Sequence, residues 1–383
     1  AGCAGRCCPV MKTRSLSDQE RVAWLRLIRT ERIGPTTFQQ LMDRFGWNAQ
    51  KVLDALPELT RSRKAPSPPP QSMIEDEIAA AQKIGVRVIA LCEPDYPEAL
   101  ADILDAPPLI SVRGDMTAFL KPGIAMVGAR NASAAGRRMA RDIARDLSAA
   151  GYVVTSGMAR GIDGEAHMAC LRARGSTIGV LAGGVDAIYP PEHASLYQEI
   201  IEHGLIVSEQ PLGYTAKARD FPKRNRIIGG LCLGVLVVEA ARRSGSLISS
   251  RMALEQGRVV MAVPGSPLDD RTAGSNGLLK QGAWLIENAE DVINALEGMA
   301  TPRNHQVNRI AKSGLATAVS AQSATDNRQR LLQALSPTPI RLEDLAAASG
   351  LTMPVIRATL AELELDGEAE SQSGGTASLP VTN

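Results

Sequence analysis

IAMVGARNASAAG, residues 124–136, is the stretch on which the fold turns. Ile124 to Val127 form a short uninterrupted apolar run bounded by a glycine, the pattern of a strand covered on both faces. Gly128 follows, then a loop holding Arg130 and Ser133, and then a helix rich in Arg137, Arg138, Arg141 and Arg145. Similar apolar runs stand at 87–92, 109–113, 152–156, 177–182, 205–208, 234–238 and 259–263, separated by helical stretches. Strands alternating with helices in this way give the α/β class, with a mostly parallel sheet between two helical layers. The core is expected over 85–297.

The remaining blocks flank this core. Residues 1–16 read as a leader or extension, with Met11 as the natural start. Over 17–56 Val22, Leu25 and Ile28, then Phe38, Leu41, Met42 and Phe45, recur at helical spacing around a turn at Ile33-Gly34-Pro35-Thr36. PELTRSRKAPSPPPQS (57–72) predicts a Pro-rich linker, and 298–327 a polar one. Three short helical patterns and a weak hairpin at 369–379 give 328–383 the outline of a winged helix-turn-helix. From 327 onward it carries four arginines against seven acids, and its would-be recognition helix, 352–365, has Arg357 as its one base. Phosphate contacts dominate affinity for DNA, so contact with protein is expected of this block.

A chain of 383 residues exceeds one ordinary domain. Lys plus Arg (42) nearly cancel Asp plus Glu (41), so a nucleic-acid site must be a local patch. With 12 aromatic residues, phosphate contacts are favoured over extended base stacking. Cys3, Cys7 and Cys8 crowd the start while Cys92, Cys170 and Cys232 lie in apolar segments. No metal-like Cys/His spacing and no secreted disulfide framework is present, which predicts a cytoplasmic protein without a metal. The longest apolar run, 231–238, falls far short of the ~20 residues of a membrane span, and none is expected.

In an open parallel sheet, ligands bind beyond the carboxyl ends of the strands. The distinctive residues follow that rule. Gly128, Arg130 and Ser133 come after one strand; Gly157, Arg160, Gly161 and Asp163 after the next; Arg242, Ser244, Gly245 and Ser246 after 234–238. Lys223, Arg224, Asn225 and Arg226 open the helix leading into that last strand. Glycines admit close backbone approach, helix N-termini offer free N–H groups, and the basic side chains supply charge, so the edge predicts a phosphate site. Pro222 is read as part of a helix's first turn, which puts Lys223, Arg224 and Arg226 in or near that turn, where they oppose the helix dipole; removing a cation there should leave stability unchanged or higher. There is no GxxxxGK[ST] and no GxGxxG after the first core strand, so no nucleotide cofactor is expected. Ser156, Asp163 and His167 lack a GxSxG elbow, and Asp163, His167 and His193 have no spacing that defines a metal site; neither a catalytic triad nor a metal centre is assigned.

Seven segments carry a resemblance. VGAR…S..G (127–136), SGMARGIDGEAHMACL (156–171), GGVDAIYPPEH (183–193), SEQPLG (208–213), FPKRNRIIGGL (221–231), VVEAARRSGSLISS (237–250) and AVPGSPLD…GSNGLLKQGA (262–283) resemble, in order, the motifs of the DprA/Smf family. The resemblance implies a Rossmann-like core that binds single-stranded DNA, forms a homodimer and hands the strand to the recombinase RecA in natural transformation, without catalysis. Carried over by motif, its DNA pocket uses Gly128, Arg130, Ser133, Gly157, Arg160, Gly161, Asp163, Lys223, Arg224, Asn225 and Arg226. Arg242, Ser244, Gly245 and Ser246 are added from their place at the same edge. The N-terminal helices are similar to the family's SAM-like domain. Ile33-Gly34-Pro35 also resembles a helix-hairpin-helix without its second glycine, which favours an auxiliary role. The competing reading is a nucleoside-monophosphate phosphoribohydrolase of the lysine-decarboxylase-like (LOG) group, whose PGGxGTxxE motif Pro264-Gly265-Ser266 faintly matches; the later glycine, GT and glutamate are absent. A promoter-binding regulator is excluded by the acidic winged helix.

Overall fold

The computed structural model describes residues 14–59, 66–300, 321–372 and 375–380. The cysteines at 3, 7 and 8, Met11, the basic middle of the first linker and most of the second lie outside these residues. No helix among those described is long and apolar enough to cross a membrane.

Four helices come first: α1 (Asp18–Ile28), α2 (Pro35–Arg44), α3 (Ala49–Leu59) and α4 (Gln71–Lys83). Ser17 caps α1 through a capping box, its N–H donating to Glu20 Oε2 at 2.9 Å while its hydroxyl accepts from the Glu20 N–H. Trp24, Phe38, Leu41, Val52, Leu56 and Ile74 form their shared core. The sequence assigned no element to α4, which begins where the linker was expected to end. Only Ile74 and Ala81 of it are buried, so it carries no long apolar stripe to read.

The sheet follows, with all eight expected strands ending within two residues of their predicted bounds. Its elements are β1 (Arg87–Ala90), α5 (Glu98–Ala101), β2 (Leu109–Gly114), β3 (Gly123–Val127), α6 (Ala134–Ala149), β4 (Val153–Ser156), α7 (Ile162–Arg172), β5 (Thr177–Val180), α8 (Ala194–His203), β6 (Leu205–Ser208), α9 (Asp220–Gly230), β7 (Gly234–Val237), α10 (Gly245–Glu255), β8 (Val259–Ala262), α11 (Ala273–Lys280), β9 (Trp284–Leu285) and α12 (Ala289–Ala300). The two-residue β9 was not expected; it is too short for any period to show. Strand order is β1-β2-β6-β5-β4-β3-β7-β8-β9, parallel from β6 to β9 and antiparallel at β1 and β2. Side chains alternate between two cores: Ala125, Val127, Val235 and Val237 face α9 and α10, whereas Ile124, Met126 and Leu236 face α6, α7 and α12. Both faces are dry, which is why the strands read as continuous Val/Ile runs.

The chain ends in α13 (Ala321–Ala334), β10 (Ile340–Arg341), α14 (Leu342–Ser349), α15 (Met353–Asp366), β11 (Glu370–Gln372) and β12 (Thr376–Ser378). The strands form a small antiparallel sheet, β10-β12-β11, completing a winged helix. Its acidic helix α15 packs on α2 of the same chain. Thr37 donates its hydroxyl to Glu364, Arg44 pairs with Glu362 at 3.3 Å, Arg32 donates to the Leu365 carbonyl at 3.1 Å, and Leu365 joins the N-terminal core.

Burial pushes the Glu364 carboxyl above its ordinary value, against the bonds from Ser371 and Thr37 that favour its charged form. A carboxyl with a raised folded-state value contributes stability that is complete below its unfolded value and is lost as pH rises through the folded one. Glu364→Gln is therefore expected to gain on the parent in thermal unfolding as pH rises from about 4 to neutral. Glu364→Ala, which strands the Ser371 N–H and the Thr37 hydroxyl, should cost about 1–3 kcal/mol. A parent that tracks the Gln variant at every pH would remove Glu364 from this role.

Candidate nucleic-acid interface

From β3 the parallel strands run one way through β4 and β5 and the other way through β7 and β8, so the strand order reverses between β3 and β7. The connections leaving β3 and β7 therefore diverge to opposite faces, opening a crevice at their carboxyl ends. A cavity of about 880 Å³ occupies that position, lined from the loops that follow β3, β4, β5, β6 and β7, from one side of α9 and from the first turn of α10. Its volume is in the range of ligand sites.

Its inner wall is built around Arg224. The side chain is 6% exposed, and its Nη1 donates to the carbonyls of Gly157, at 2.7 Å, and Val180. Desolvation pulls its pKa down to about 10, with the Asp163 carboxylate opposing the shift and Arg130 adding to it, so it stays charged at neutral pH. Gly157 is required here by space, since a Cβ would lie 2.4 Å from the guanidinium. The loop then turns through Met158 (φ 58°) and Gly161 (φ 77°), and a Cβ at Gly161 would lie 2.2 Å from the Ala129 carbonyl. Asp163 Oδ2 accepts from the Gly157 and Ala159 N–H groups at 3.1 and 3.4 Å. Burial raises its pKa, while Arg224, these bonds and the Ser156 hydroxyl resist. No triad forms: the Ser156 hydroxyl donates to the Met126 carbonyl at 2.6 Å and lies beside Asp163, but His167 engages neither, its Nδ1 turned to Thr177 and its Nε2 without a hydrogen-bond partner among the described residues. His167 is buried, and desolvation lowers its pKa to about 3. The Thr177 hydroxyl donates to Val154 at 2.6 Å, so it accepts from His167 Nδ1 at 2.7 Å, which fixes a neutral Nδ1–H tautomer.

The outer wall is aromatic and basic. Phe221 and Tyr189 meet edge-on, centroids 5.5 Å apart, and the exposed Arg130 guanidinium stands 5.4 Å from the Phe221 ring centre. Opposite them the loop after β7 brings Arg243, Ser244, Gly245 and Ser246 to the rim, with Ser244 capping α10. Gly128, Arg130, Asp163, Arg224, Asn225, Ser244, Gly245 and Ser246 are thus brought together. Sequence reasoning missed Arg243, Tyr189 and Phe221. Arg243 stands beside the chosen Arg242, and FP opens the basic motif, so the signal was adjacent.

Other expected residues are placed elsewhere. Arg226 is 4% exposed and ion-paired with Glu209 and with Asp105 at 3.4 Å, on the far side of α9. Two residues after Arg224 on a helix, it points away from the cavity that Arg224 lines. Arg160 is exposed and pairs with Glu192. Lys223 and Arg242 are exposed near the mouth, but neither lines the cavity. Ser133 caps α6, and its N–H and hydroxyl both go to the buried carboxylate of Glu239. The α6 N-terminus is therefore already satisfied by an internal anion. The helix start also gains an acid: α9 begins at Asp220, whose carboxylate accepts from the Lys217 N–H at 2.8 Å, so Pro222 is its third residue, within the first turn, and Lys223 and Arg224 are the fourth and fifth.

Residues 87–297 match the family model described as DNA recombination-mediator protein A. The chain belongs to the DprA/Smf family. Residues 18–80 match the DprA-like N-terminal HHH domain and 316–375 the DprA winged helix domain, so the N-terminal helices are of the helix-hairpin-helix kind. The DNA processing protein DprA of Bacillus subtilis is 42% identical over 220 residues, covering 57% of this chain and 74% of that protein. The X-ray structure of DprA from Streptococcus pneumoniae has a TM-score of 0.61 at 30% identity, covering 73% of this chain and 98% of that one. A Helicobacter pylori DprA structure, described for its single-stranded DNA binding mode, has a TM-score of 0.51 at 28% identity, over 56% of this chain and 96% of that one.

The geometry reverses one stability expectation. Arg224→Ala leaves two buried carbonyls without a donor and should lower stability by about 1–3 kcal/mol, not raise it. Arg226→Ala strands the largely buried Glu209 and Asp105 and should cost about 3–5 kcal/mol. Arg130→Ala, at an exposed position, should change stability by less than about 0.5 kcal/mol. Denaturant unfolding of the three variants checks this order, and equal midpoints would contradict it.

Proposed function

We propose that this DprA/Smf chain binds single-stranded DNA in the β3/β7 crevice and, as a cytoplasmic homodimer, passes the strand to RecA during recombination of incoming DNA in natural transformation. The reading is carried by the pairing of exposed Arg130 and Arg243 with the Phe221–Tyr189 aromatic corner in one cavity. Cations suit the phosphates, and aromatic faces suit bases that are unpaired and therefore able to leave a stack. The RecA and homodimer parts rest on family membership, and the H. pylori relative supports the choice of ligand. A non-enzymatic role is proposed with them. In the LOG motif register the glutamate falls at Thr272, whose hydroxyl is spent on the Ser266 and Asp269 carbonyls at 2.7 and 2.9 Å. That leaves no carboxylate at this position for glycosidic cleavage.

Fluorescence anisotropy of the full chain with labelled oligo(dT), a matched blunt duplex and nucleoside monophosphates tests the proposal across a salt series. Oligo(dT) should bind far more tightly than duplex. Arg130→Ala and Arg243→Ala should each weaken it roughly tenfold to a hundredfold, the range of a charge-assisted hydrogen bond, and flatten the log–log salt slope by up to ~0.7 per lost phosphate contact. Equal affinity for duplex, or parent-like binding by both variants, would refute the site; release of free base from a monophosphate would favour the LOG reading.

A further inference from the structure

The α9 residues that line the cavity are Phe221, Pro222, Arg224, Asn225 and Ile228, a single stripe at helical spacing. Phe221 and Asn225 are four apart on that stripe and so are lateral neighbours. A base stacked in the Phe221–Tyr189 corner therefore turns its edge toward the Asn225 amide. Tyr189, 51% exposed, leaves the corner open from the solvent side.

The orientation of that amide is set from below. Arg224 Nε–H can only donate, and it donates to Asn225 Oδ1 at 3.3 Å. Arg224 cannot swing away, because its Nη1 is held by the Gly157 and Val180 carbonyls. The amide oxygen is thus engaged inside the wall. The Nδ2 hydrogens have no partner among the described residues and are the donors left to the cavity. The other polar groups of the floor do not compete in sign. The hydroxyls of Ser244, Ser246 and Ser249 donate or accept equally well, and Asp163, the acidic side chain of the lining, is turned to the Gly157 and Ala159 N–H groups.

Resting on the single-strand reading above, we propose that Asn225 makes the crevice selective among bases, favouring those with an exocyclic carbonyl at the presented edge, thymine and guanine, over adenine. At the position where those bases offer an oxygen adenine carries an exocyclic amine, so the amide donor loses that partner and is left with the ring nitrogen beside it. Phosphate contacts supply the sequence-independent affinity, and Asn225 adds a bias on top of it.

Two measurements on the full chain test this at one salt concentration. The first varies the ligand: oligo(dI) and oligo(dA) of equal length share the purine ring but exchange the carbonyl for the amine. The parent should bind oligo(dI) and oligo(dT) roughly two- to tenfold more tightly than oligo(dA), the range of one neutral hydrogen bond. The second varies the protein. Asn225→Ala should bring the three affinities together by weakening oligo(dI) and oligo(dT), and Asn225→Asp, an acceptor, should shift the ratio toward oligo(dA). Parent ratios near one, or ratios unchanged in a folded Ala or Asp variant, would overturn the inference while leaving single-strand binding intact. Failure of the parent to bind any of the strands would instead defeat the single-strand reading itself.

Discussion

A single buried guanidinium, that of Arg224, holds the crevice in shape. Burying a cation is costly, and here two carbonyl acceptors and the nearby Asp163 carboxylate offset the loss of water. The carbonyls are those of Gly157, the residue after β4, and Val180, the last of β5, so these bonds tie α9 to both strand ends at once. The inner wall follows from this depth of insertion. Gly157 has no room for a side chain, and the end of α9 is left carrying Phe221 and Asn225 on the cavity wall.

Charge is divided sharply between structure and ligand. Along α6, Arg137 and Arg141 close on Glu165 at 3.1 and 3.0 Å, and Arg145 pairs with Asp142 and Asp146. The N-terminus of α6, an obvious anion site in the sequence, is filled by Glu239, which also ties the Arg130 loop to β7 through the Ala129 N–H at 2.7 Å. Arg130, Lys223, Arg242 and Arg243 form no ion pair among the described residues; Arg130 and Arg243 line the cavity, and Lys223 and Arg242 are exposed beside lining residues in the chain. A nearly neutral protein thus keeps a local positive patch, as a counterion-releasing contact with a phosphate chain requires.

The sheet was legible because its strands are dry on both sides: Val235, Leu236 and Val237 leave no alternation, and helix starts follow the glycines. The cavity-lining loops were legible because an open parallel sheet brings the connections at its strands' carboxyl ends to one edge. The orientation of each side chain was not. FPKRNR reads as one basic cluster, yet α9 sends Lys223 to solvent, Arg224 inward to the loop and Arg226 to Glu209 on another face, a consequence of 3.6 residues per turn that needs the true helix start, Asp220, to resolve. Tyr189 was hidden for another reason: it comes from the β5–α8 connection, far from α9 in the chain, and only tertiary packing sets it beside Phe221. The docking of α15 on α2 was equally invisible, since it joins residues some 330 apart in the chain, as in the Thr37–Glu364 pair.

Amide hydrogen exchange, followed by mass spectrometry with and without oligo(dT), tests most directly where the strand lies. Slowed exchange is expected over 128–133, 216–225 and 241–249, the segments that surround the crevice, with α15 and the wing at 370–378 unchanged. Protection confined to the winged helix or to α1–α4, with the crevice loops exchanging as in the free protein, would contradict the account.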